Sequence, residues 1–163
     1  MKTATARGII GCIGKCTSGL TLDELDILTD TVHSTLGRHQ GRKIFREFLR
    51  KGKRQDDLKC LDFHEQCCKY IENERDYVLS TATPNLKMLT NDVSEAFDTA
   101  IELERVPEID MAILDKFNEA LNTPCRESML QVLEETKLRL EDHLSSSHKD
   151  FKIYMREPCP NTR

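Results

Sequence analysis

The chain has 163 residues, of which 38% are hydrophobic and 32% charged, and its formal net charge is −4. This length is enough for one domain with a single sizeable core, and a composition in which Leu, Glu, Lys, Asp and Arg are frequent favours helices. The negative balance excludes an overall electrostatic attraction to nucleic acid or acidic lipid, so any such attraction must be local.

Three further features favour a cytoplasmic protein. No apolar run approaches the roughly 20 residues of a membrane span. The apolar stretch from Gly8 to Gly14 is short and interrupted by glycine, which makes a poor signal peptide. The cysteines number seven, and the central ones lie in a predicted helix, which is typical of a reducing compartment.

Residues 1–20 are predicted to form a flexible leader, because Gly, Thr and Ser are frequent and the apolar residues show no sustained period. Cys12 and Cys16 lie in this leader near Arg7 and Lys15. Thiols beside basic residues could accept palmitate, which would give two membrane signals. The alternative is two free thiols in a disordered tail.

The first predicted helix begins at Thr21. Thr21 and Glu24 make a capping box, and apolar residues then recur at three- and four-residue spacing until Gly37 ends the helix. Further amphipathic helices are predicted over about residues 40–50, 57–72 and 91–103.

In the second half, Asp110 is predicted to cap a helix that ends at the sequence NTPC. Thr123 should then cap a long amphipathic helix with Pro124 at its first position, and residues 145–147 should end it. Strand signals are weak, with no hairpin dipeptides and no clear alternation. The sequence therefore predicts an all-α fold, an irregular multi-helix bundle, with a domain over residues 21–155 and a C-terminal tail over residues 156–163.

The central thiols raise the question of a metal or catalytic site. Cys60, His64, Cys67 and Cys68 share one helical stripe, and zinc would suit such ligands. One straight helix spreads them along its length, however, and no second Cys/His pair follows to close a tetrahedron. A nucleophile pair such as Cys67 with His64 lacks a recognisable oxyanion hole. We therefore expect no metal, no cofactor and no catalytic residue, with the thiols as core material.

A basic patch on the second predicted helix could bind phosphates or carboxylates. One helix face can carry several of its charges, which would suit an acidic headgroup, an acidic protein surface or a duplex backbone. No second helix with base-reading residues accompanies it, so nucleic acid is not expected. The simplest alternative is a solvated face. The patch consists of Arg42, Lys43, Arg46 and Arg50.

The sequence GRKIFREFL, which starts at Gly41, is followed by a polar turn and by LDFHEQCCKY, which ends at Tyr70. This arrangement resembles the start of the regulator of G-protein signalling (RGS) domain: G-x-x-x-F-x-x-F-L, a turn, and a helix with an aromatic pair, a cysteine and a tyrosine. The likeness continues through the helix punctuation of the second half to the closing Phe151, and covers roughly residues 22–154. It implies an all-helical signalling domain whose loops bind a GTP-bound Gα subunit and hold it in its transition-state arrangement, which accelerates hydrolysis without a general base from the domain.

The chain departs from this family at positions that would meet Gα. The asparagine that active members carry at the start of the third helix falls at Cys60, or at Asp57 when the turn is aligned without a gap. A second family asparagine falls at Glu108. Near the end, an expected arginine is Asp150 and an expected acid is Ser146. These changes alter hydrogen-bonding type or charge, so the resemblance implies weak or lost GTPase acceleration.

The resemblance therefore implies a protein that binds a Gα subunit, without being an enzyme itself. The alternative is a non-catalytic scaffold or adaptor that uses the same fold to bind another signalling protein. Location would be cytoplasmic, with a peripheral place at the plasma membrane if the basic patch or the leader contacts lipid. The residues expected to face Gα are Gln55, Asp56, Asp57, Cys60, Val106, Glu108, Ser146 and Asp150.

Overall fold

The computed structural model describes residues 12–16 and 18–157. Within them the chain forms seven α-helices and no strand, which confirms the all-α prediction. The helices are α1 Leu22–Leu28, α2 Val32–Leu36, α3 His39–Lys51, α4 Gln55–Ser80, α5 Lys87–Glu102, α6 Met111–Asn122 and α7 Arg126–Arg156.

The chain divides into two compact units. Unit 1 comprises the residues up to Leu58 and those from Leu144 onward, and unit 2 comprises Lys59–His143. The long helices α4 and α7 each contribute residues to both units.

The core of unit 1 is a cluster of aromatic rings from α3 and the last turns of α7. Phe45 and Phe48 are stacked with their centroids 6.5 Å apart, and Phe151 lies 5.0 Å from the first ring and 5.5 Å from the second. His148 meets Phe45 edge-on at 5.6 Å, and its Nε2 lies 2.6 Å from the Thr35 hydroxyl. Burial, together with the charge of Lys152, lowers the pKa of His148 to about 4. The imidazole is therefore a neutral member of this core at physiological pH.

The core of unit 2 consists of apolar faces from α4 to α7. Ile113 and Phe117 of α6 are fully buried, and Phe97 of α5 stacks on Phe117 at 5.5 Å. Leu89 and Val93 continue the buried face of α5. These four-residue intervals belong to the amphipathic pattern of the sequence.

Two of the predicted caps are present. The Thr21 hydroxyl accepts from the Glu24 amide and the Glu24 carboxylate accepts from the Thr21 amide, which completes the capping box. Asp110 accepts from the Ile113 amide at the start of α6. The single helix predicted from Thr21 to Gly37 is instead broken into α1 and α2, because Thr31 caps a new helix by accepting from Ser34.

The final helix is longer than predicted. α7 continues through residues 145–147 and the segment FKIYM to Arg156, where the sequence suggested a break. Ser147, His148 and Phe151 are all buried, and this packing outweighs the weak helix preference of three consecutive serines. The start also differs: Thr123 closes α6 by donating to the Glu119 carbonyl, and α7 begins at Arg126, two residues beyond Pro124.

Part of the predicted leader belongs to unit 1. Ile13 is 2% exposed, and the buried Lys15 ammonium donates to the carbonyls of Tyr154 and Met155 at 3.0 and 3.2 Å. These carbonyls end α7, where a cation is favoured by the helix dipole. Gln40 also donates to the Ser18 carbonyl. Ile13, Lys15 and Ser18 thus contact the rest of unit 1, whereas the flexible leader and the domain boundary at residue 21 remain predictions.

Gly41 permits the contact between α3 and α2. A Cβ at this position would lie 2.3 Å from the Thr35 carbonyl oxygen and 3.1 Å from the Thr35 carbonyl carbon. The obstacle is backbone inside a helix, so it has little freedom to shift. The glycine at the head of the GRKIFREFL motif is therefore required by packing.

We expect Gly41→Ala to lower the free energy of unfolding by about 2 kcal/mol, although alanine is the better helix former by about 1 kcal/mol. Urea denaturation followed by circular dichroism measures this change. Lys43→Ala, an exposed change on the same helix, should stay within about 0.5 kcal/mol. An equally stable Gly41→Ala protein would contradict the close approach.

Candidate partner-binding surfaces

In unit 1, Arg54 joins the segment before α4 to the last turns of α7. Its guanidinium donates to the Ser147 hydroxyl at 3.0 Å and to the Asp150 carboxylate at 3.0 Å. The same group lies over the Phe48 ring, 5.2 Å from its centroid. The planar guanidinium of Arg54 thus fixes two side chains of α7, the Ser147 hydroxyl and the Asp150 carboxylate.

Ser147 extends this arrangement to the start of α4, because its hydroxyl donates to the Asp57 carboxylate. Gln55 and Ser146 are exposed beside these groups in the sequence, and Asp56 is partly exposed. We call the set Gln55, Asp56, Asp57, Ser146 and Asp150 the unit 1 surface. Its five members were all predicted, and Arg54 and Ser147 link its two segments.

A tight turn directs Arg54 toward these partners. Gly52 ends α3 by donating to the Phe48 carbonyl, and Lys53 then adopts a left-handed conformation with φ of 58°. The Arg54 amide returns to the Leu49 carbonyl at 2.9 Å. These bonds satisfy the last carbonyls of α3 and fix the direction in which α4 starts.

In unit 2, the loop between α5 and α6 is ordered by its own backbone. The amides of Leu103, Val106 and Ile109 each donate to a carbonyl three residues earlier, at 3.0 to 3.2 Å. The same three side chains are buried, so every third residue of the loop is anchored. The residues between them are therefore displayed from a rigid loop.

Two side chains of α7 hold the end of this loop. His143 Nδ1 lies 2.8 Å from a carboxylate oxygen of Glu108, and Arg139 donates to the Glu108 carbonyl at 2.8 Å. Arg139 also donates to Asp110 at 2.9 Å. The Ile113 amide, with the charge and hydrogen bond of Arg139, holds the pKa of Asp110 below its ordinary value. Glu108 is thereby fixed through both its side chain and its backbone.

Two of the predicted contact residues are core residues. Cys60 is fully buried and Val106 is 2% exposed, both within unit 2. Their side chains are therefore closed to a partner as the protein stands. Glu108 is left as the accessible predicted residue of unit 2, beside the exposed Arg105 and Pro107.

The basic patch is partly used within the protein. Arg42 donates to the Leu36 carbonyl at 2.9 Å and so caps the end of α2. Arg50 makes a two-pronged salt bridge to Glu47, with both distances 2.8 Å. The remaining members are the exposed Lys43 and the partly exposed Arg46. Of the four positive charges of the patch, the Arg50 charge is therefore compensated by Glu47, and the Arg42 guanidinium is positioned by the Leu36 carbonyl.

The cysteines divide by environment. Cys60 and Cys67 are fully buried, whereas Cys16 and Cys125 are exposed. The sulfurs of Cys12 and Cys16, the two residues predicted as lipidation sites, lie 3.1 Å apart. Among residues 12–16 and 18–157, no group of three His, Cys, Asp or Glu side chains is arranged to hold a metal ion.

Sequence reasoning missed the residues that organise these surfaces. Arg54 reaches partners 93 and 96 positions away, and Arg139 and His143 reach back 31 and 35 positions to Glu108. No local spacing rule links such distant residues. One indirect signal was present in the sequence. The start of a helix favours anions, as Asp56 and Asp57 illustrate, so the cation of Arg54 directly before this helix suggests a role for it elsewhere.

The comparisons with known proteins give one match. The family model of the Regulator of G protein signaling domain matches residues 31–156. No curated protein and no solved structure matches the chain. No helix in the part of the chain that the structure describes has both the length and the apolar character to span a membrane. Since the family match covers most of the sequence and the described helices form the all-α architecture expected of it, the chain belongs to the regulator of G-protein signalling domain family.

Proposed function

We propose that this protein regulates G-protein signalling by binding a Gα subunit with little or no acceleration of GTP hydrolysis. The observation that carries the proposal is the family match over residues 31–156. The unit 1 surface and the loop ending at Glu108 support it, because both present polar groups from ordered backbone. A surface whose backbone is already ordered loses little conformational entropy when a partner arrives.

Weak acceleration follows from the groups that stand where active members of the family carry asparagine. Cys60 is buried and has no amide, and Asp57 accepts from the Ser147 hydroxyl. Glu108 is paired with His143. None of these side chains can donate a hydrogen bond to a switch segment as an amide does. Transition-state positioning through those positions is therefore lost, while surface complementarity can remain.

The test compares nucleotide states of Gα. A panel of purified Gα subunits is presented to the full chain with GDP alone and with GDP plus aluminium fluoride, and affinity is measured by calorimetry. We expect tighter binding to the aluminium fluoride state for at least one Gα. Single-turnover GTP hydrolysis with and without the chain should then change by less than about tenfold, since Gα already has its own catalytic arginine and the positioning residues of active family members are replaced here.

We expect Glu108→Lys to weaken Gα binding about tenfold, which corresponds to about 1.4 kcal/mol. The change reverses the charge on the displayed loop and removes the carboxylate that His143 contacts. Asp98→Lys is the matched control, since it makes the same charge change at an exposed position of α5 in the same unit. Equal affinities for both variants would remove the loop from the proposed interface.

The second candidate is an adaptor that binds another signalling protein. The occupied polar groups at Asp57 and Glu108 favour it, because they are already used within the protein. An adaptor would show no preference between nucleotide states across the Gα panel, and that result would replace the regulator proposal.

In either role, the proposed place of action is the cytoplasm. The exposed Lys43 offers a contact to an acidic partner or membrane, and vesicle sedimentation with and without anionic lipid would measure it.

A further inference from the structure

In unit 2 a cysteine, a histidine and a glutamate from α4 and α7 form a chain of side-chain contacts. Cys68 Sγ lies 3.7 Å from His64 Nδ1, one helical turn away on α4. His64 Nε2 in turn lies 2.9 Å from a carboxylate oxygen of Glu141 on α7. The imidazole therefore contacts a thiol through one nitrogen and a carboxylate through the other, the relation in which a histidine serves as the base for a thiol.

Burial fixes the orientation of the histidine. The side chains of His64 and Glu141 are 3% and 10% exposed, so water competes little for their hydrogen bond. A carboxylate that accepts from Nε2–H leaves the Nδ1 lone pair directed at the thiol. After the thiol proton moves to Nδ1, the same carboxylate stabilises the imidazolium.

Lys137 of α7 adds a positive charge near Cys68. The Lys137 ammonium donates to Glu134 at 3.3 Å, and its positive charge acts on the Cys68 thiol. The charged groups that act on this thiol are thus His64 from its own helix and Lys137 from α7. Both favour the thiolate.

The same contacts set the direction in which the pKa values of Cys68 and His64 move. Burial alone would raise the pKa of Cys68, but the hydrogen bond and charge of His64, with those of Lys137, outweigh it and bring the pKa below its ordinary value. Burial likewise opposes the charged form of His64, but its bonds to Cys68 and Glu141 raise its pKa. A lowered thiol pKa and a raised imidazole pKa together widen the pH range in which thiolate and imidazolium coexist.

The environment that favours the thiolate is specific to Cys68 and is not shared by the neighbouring Cys67. Cys67 is fully buried, and burial raises its pKa far above the ordinary thiol value. Cys68, the next residue, is partly exposed. The nucleophile pair considered from the sequence was Cys67 with His64, whereas the residue that contacts His64 is Cys68.

We propose that Cys68 is a modification site, a thiolate held by His64, Glu141 and Lys137 that reacts with small electrophiles, hydrogen peroxide being the biological class. In the peroxide reaction the sulfur attacks one oxygen and the O–O bond breaks. The leaving hydroxide takes the proton from the His64 imidazolium and departs as water. The products are a cysteine sulfenic acid and neutral histidine, with sulfur oxidised by two electrons and peroxide reduced by two.

The first test follows alkylation of the full chain by iodoacetamide across a pH series, with each cysteine quantified by mass spectrometry. We expect the Cys68 rate to inflect below the pH of an ordinary thiol, while Cys67 stays unmodified in the folded protein. Peroxide followed by a sulfenic-acid-trapping diketone should label Cys68. An inflection at or above the ordinary thiol value, or trapping only at other cysteines, would overturn the proposal.

The second test removes the base. His64→Gln can still donate to Glu141, and we expect it to move the Cys68 inflection upward and to slow alkylation at neutral pH about fivefold or more. The exposed Cys125 serves as internal control, since its rate should not change. An unmoved Cys68 profile in a folded His64→Gln protein would refute the role of His64. Should that variant fail to fold, the wild-type profile and the Lys137→Gln variant, at a partly exposed position, decide. Lys137→Gln should shift the inflection in the same direction by a smaller amount.

Discussion

Replacing Phe151 by alanine is expected to lower the free energy of unfolding by about 3 to 5 kcal/mol. The ring is fully buried within unit 1 and lies 5.0 Å from Phe45 and 5.5 Å from Phe48. It also lies 5.5 Å from the imidazole of His148. Truncation removes all three aromatic contacts and leaves a cavity that the surrounding helices can close only in part.

The loss should exceed the transfer free energy of one phenyl ring. Phe45 and Phe48 are held in helix α3, whose approach to α2 is already fixed by Gly41, so they have little freedom to refill the space. A cost of this size is a large fraction of the stability of a small domain. Part of the population should therefore be unfolded at physiological temperature.

Urea denaturation measures this change through the midpoint at constant slope. Ile153→Ala is the matched control, since it truncates an apolar residue two positions away on α7 that is 47% exposed. The control should cost about 1 kcal/mol or less. If both variants unfold at the same urea concentration, Phe151 is not the centre of this core.

The features that the sequence predicts well are those that depend on near neighbours. The capping box of Thr21 with Glu24 and the cap at Asp110 each involve residues three positions apart, and both are present. Apolar spacing likewise identified Phe45 and Phe48 as core residues. Local hydrogen bonds and helical periodicity decide these features, so one short stretch of sequence contains the information.

The features that the sequence predicts poorly depend on distant partners. Three consecutive serines are a weak helix signal, and α7 continues through them because tertiary contacts hold this part of the helix. Ser147 accepts from Arg54, and Phe151 packs on Phe45 and Phe48. The loop before α6 is similar, since Glu108 is fixed by Arg139 and His143 from α7. Tertiary packing overrides propensity in both cases.

The candidate surfaces illustrate the same division. The family motif predicts partner contacts at the start of α4 and in the loop before α6, but it could not distinguish exposed from buried members. Cys60 and Val106 proved to be core residues, while Arg54, which was absent from the expected set, connects Ser147 with Asp150. Motif spacing locates a segment, and burial decides which of its side chains a partner can reach.

Replacing Arg126 by methionine is expected to lower the free energy of unfolding by about 3 kcal/mol. Glu74 of α4 is 2% exposed, and Arg126 Nε lies 2.5 Å from its carboxylate. The same guanidinium donates to the Asn85 carbonyl at 3.0 Å. Methionine keeps most of the side-chain length and the apolar contacts of the stem but leaves a buried carboxylate without its cation.

A double-mutant cycle separates the lost ion pair from lost packing. Glu74→Gln replaces the charge by an amide of the same shape, and the combination with Arg126→Met should recover at least half of the stability that the single Arg126→Met change removes, because no buried charge remains unpaired. Arg75→Met is the matched control, because the partner of Arg75, Glu134, is 45% exposed. A surface salt bridge of this kind contributes about 1 kcal/mol or less to the free energy of unfolding. If the two variants instead lower the free energy of unfolding additively, Arg126 stabilises the protein through its hydrogen bond to the Asn85 carbonyl. The ion pair with Glu74 would then contribute nothing measurable.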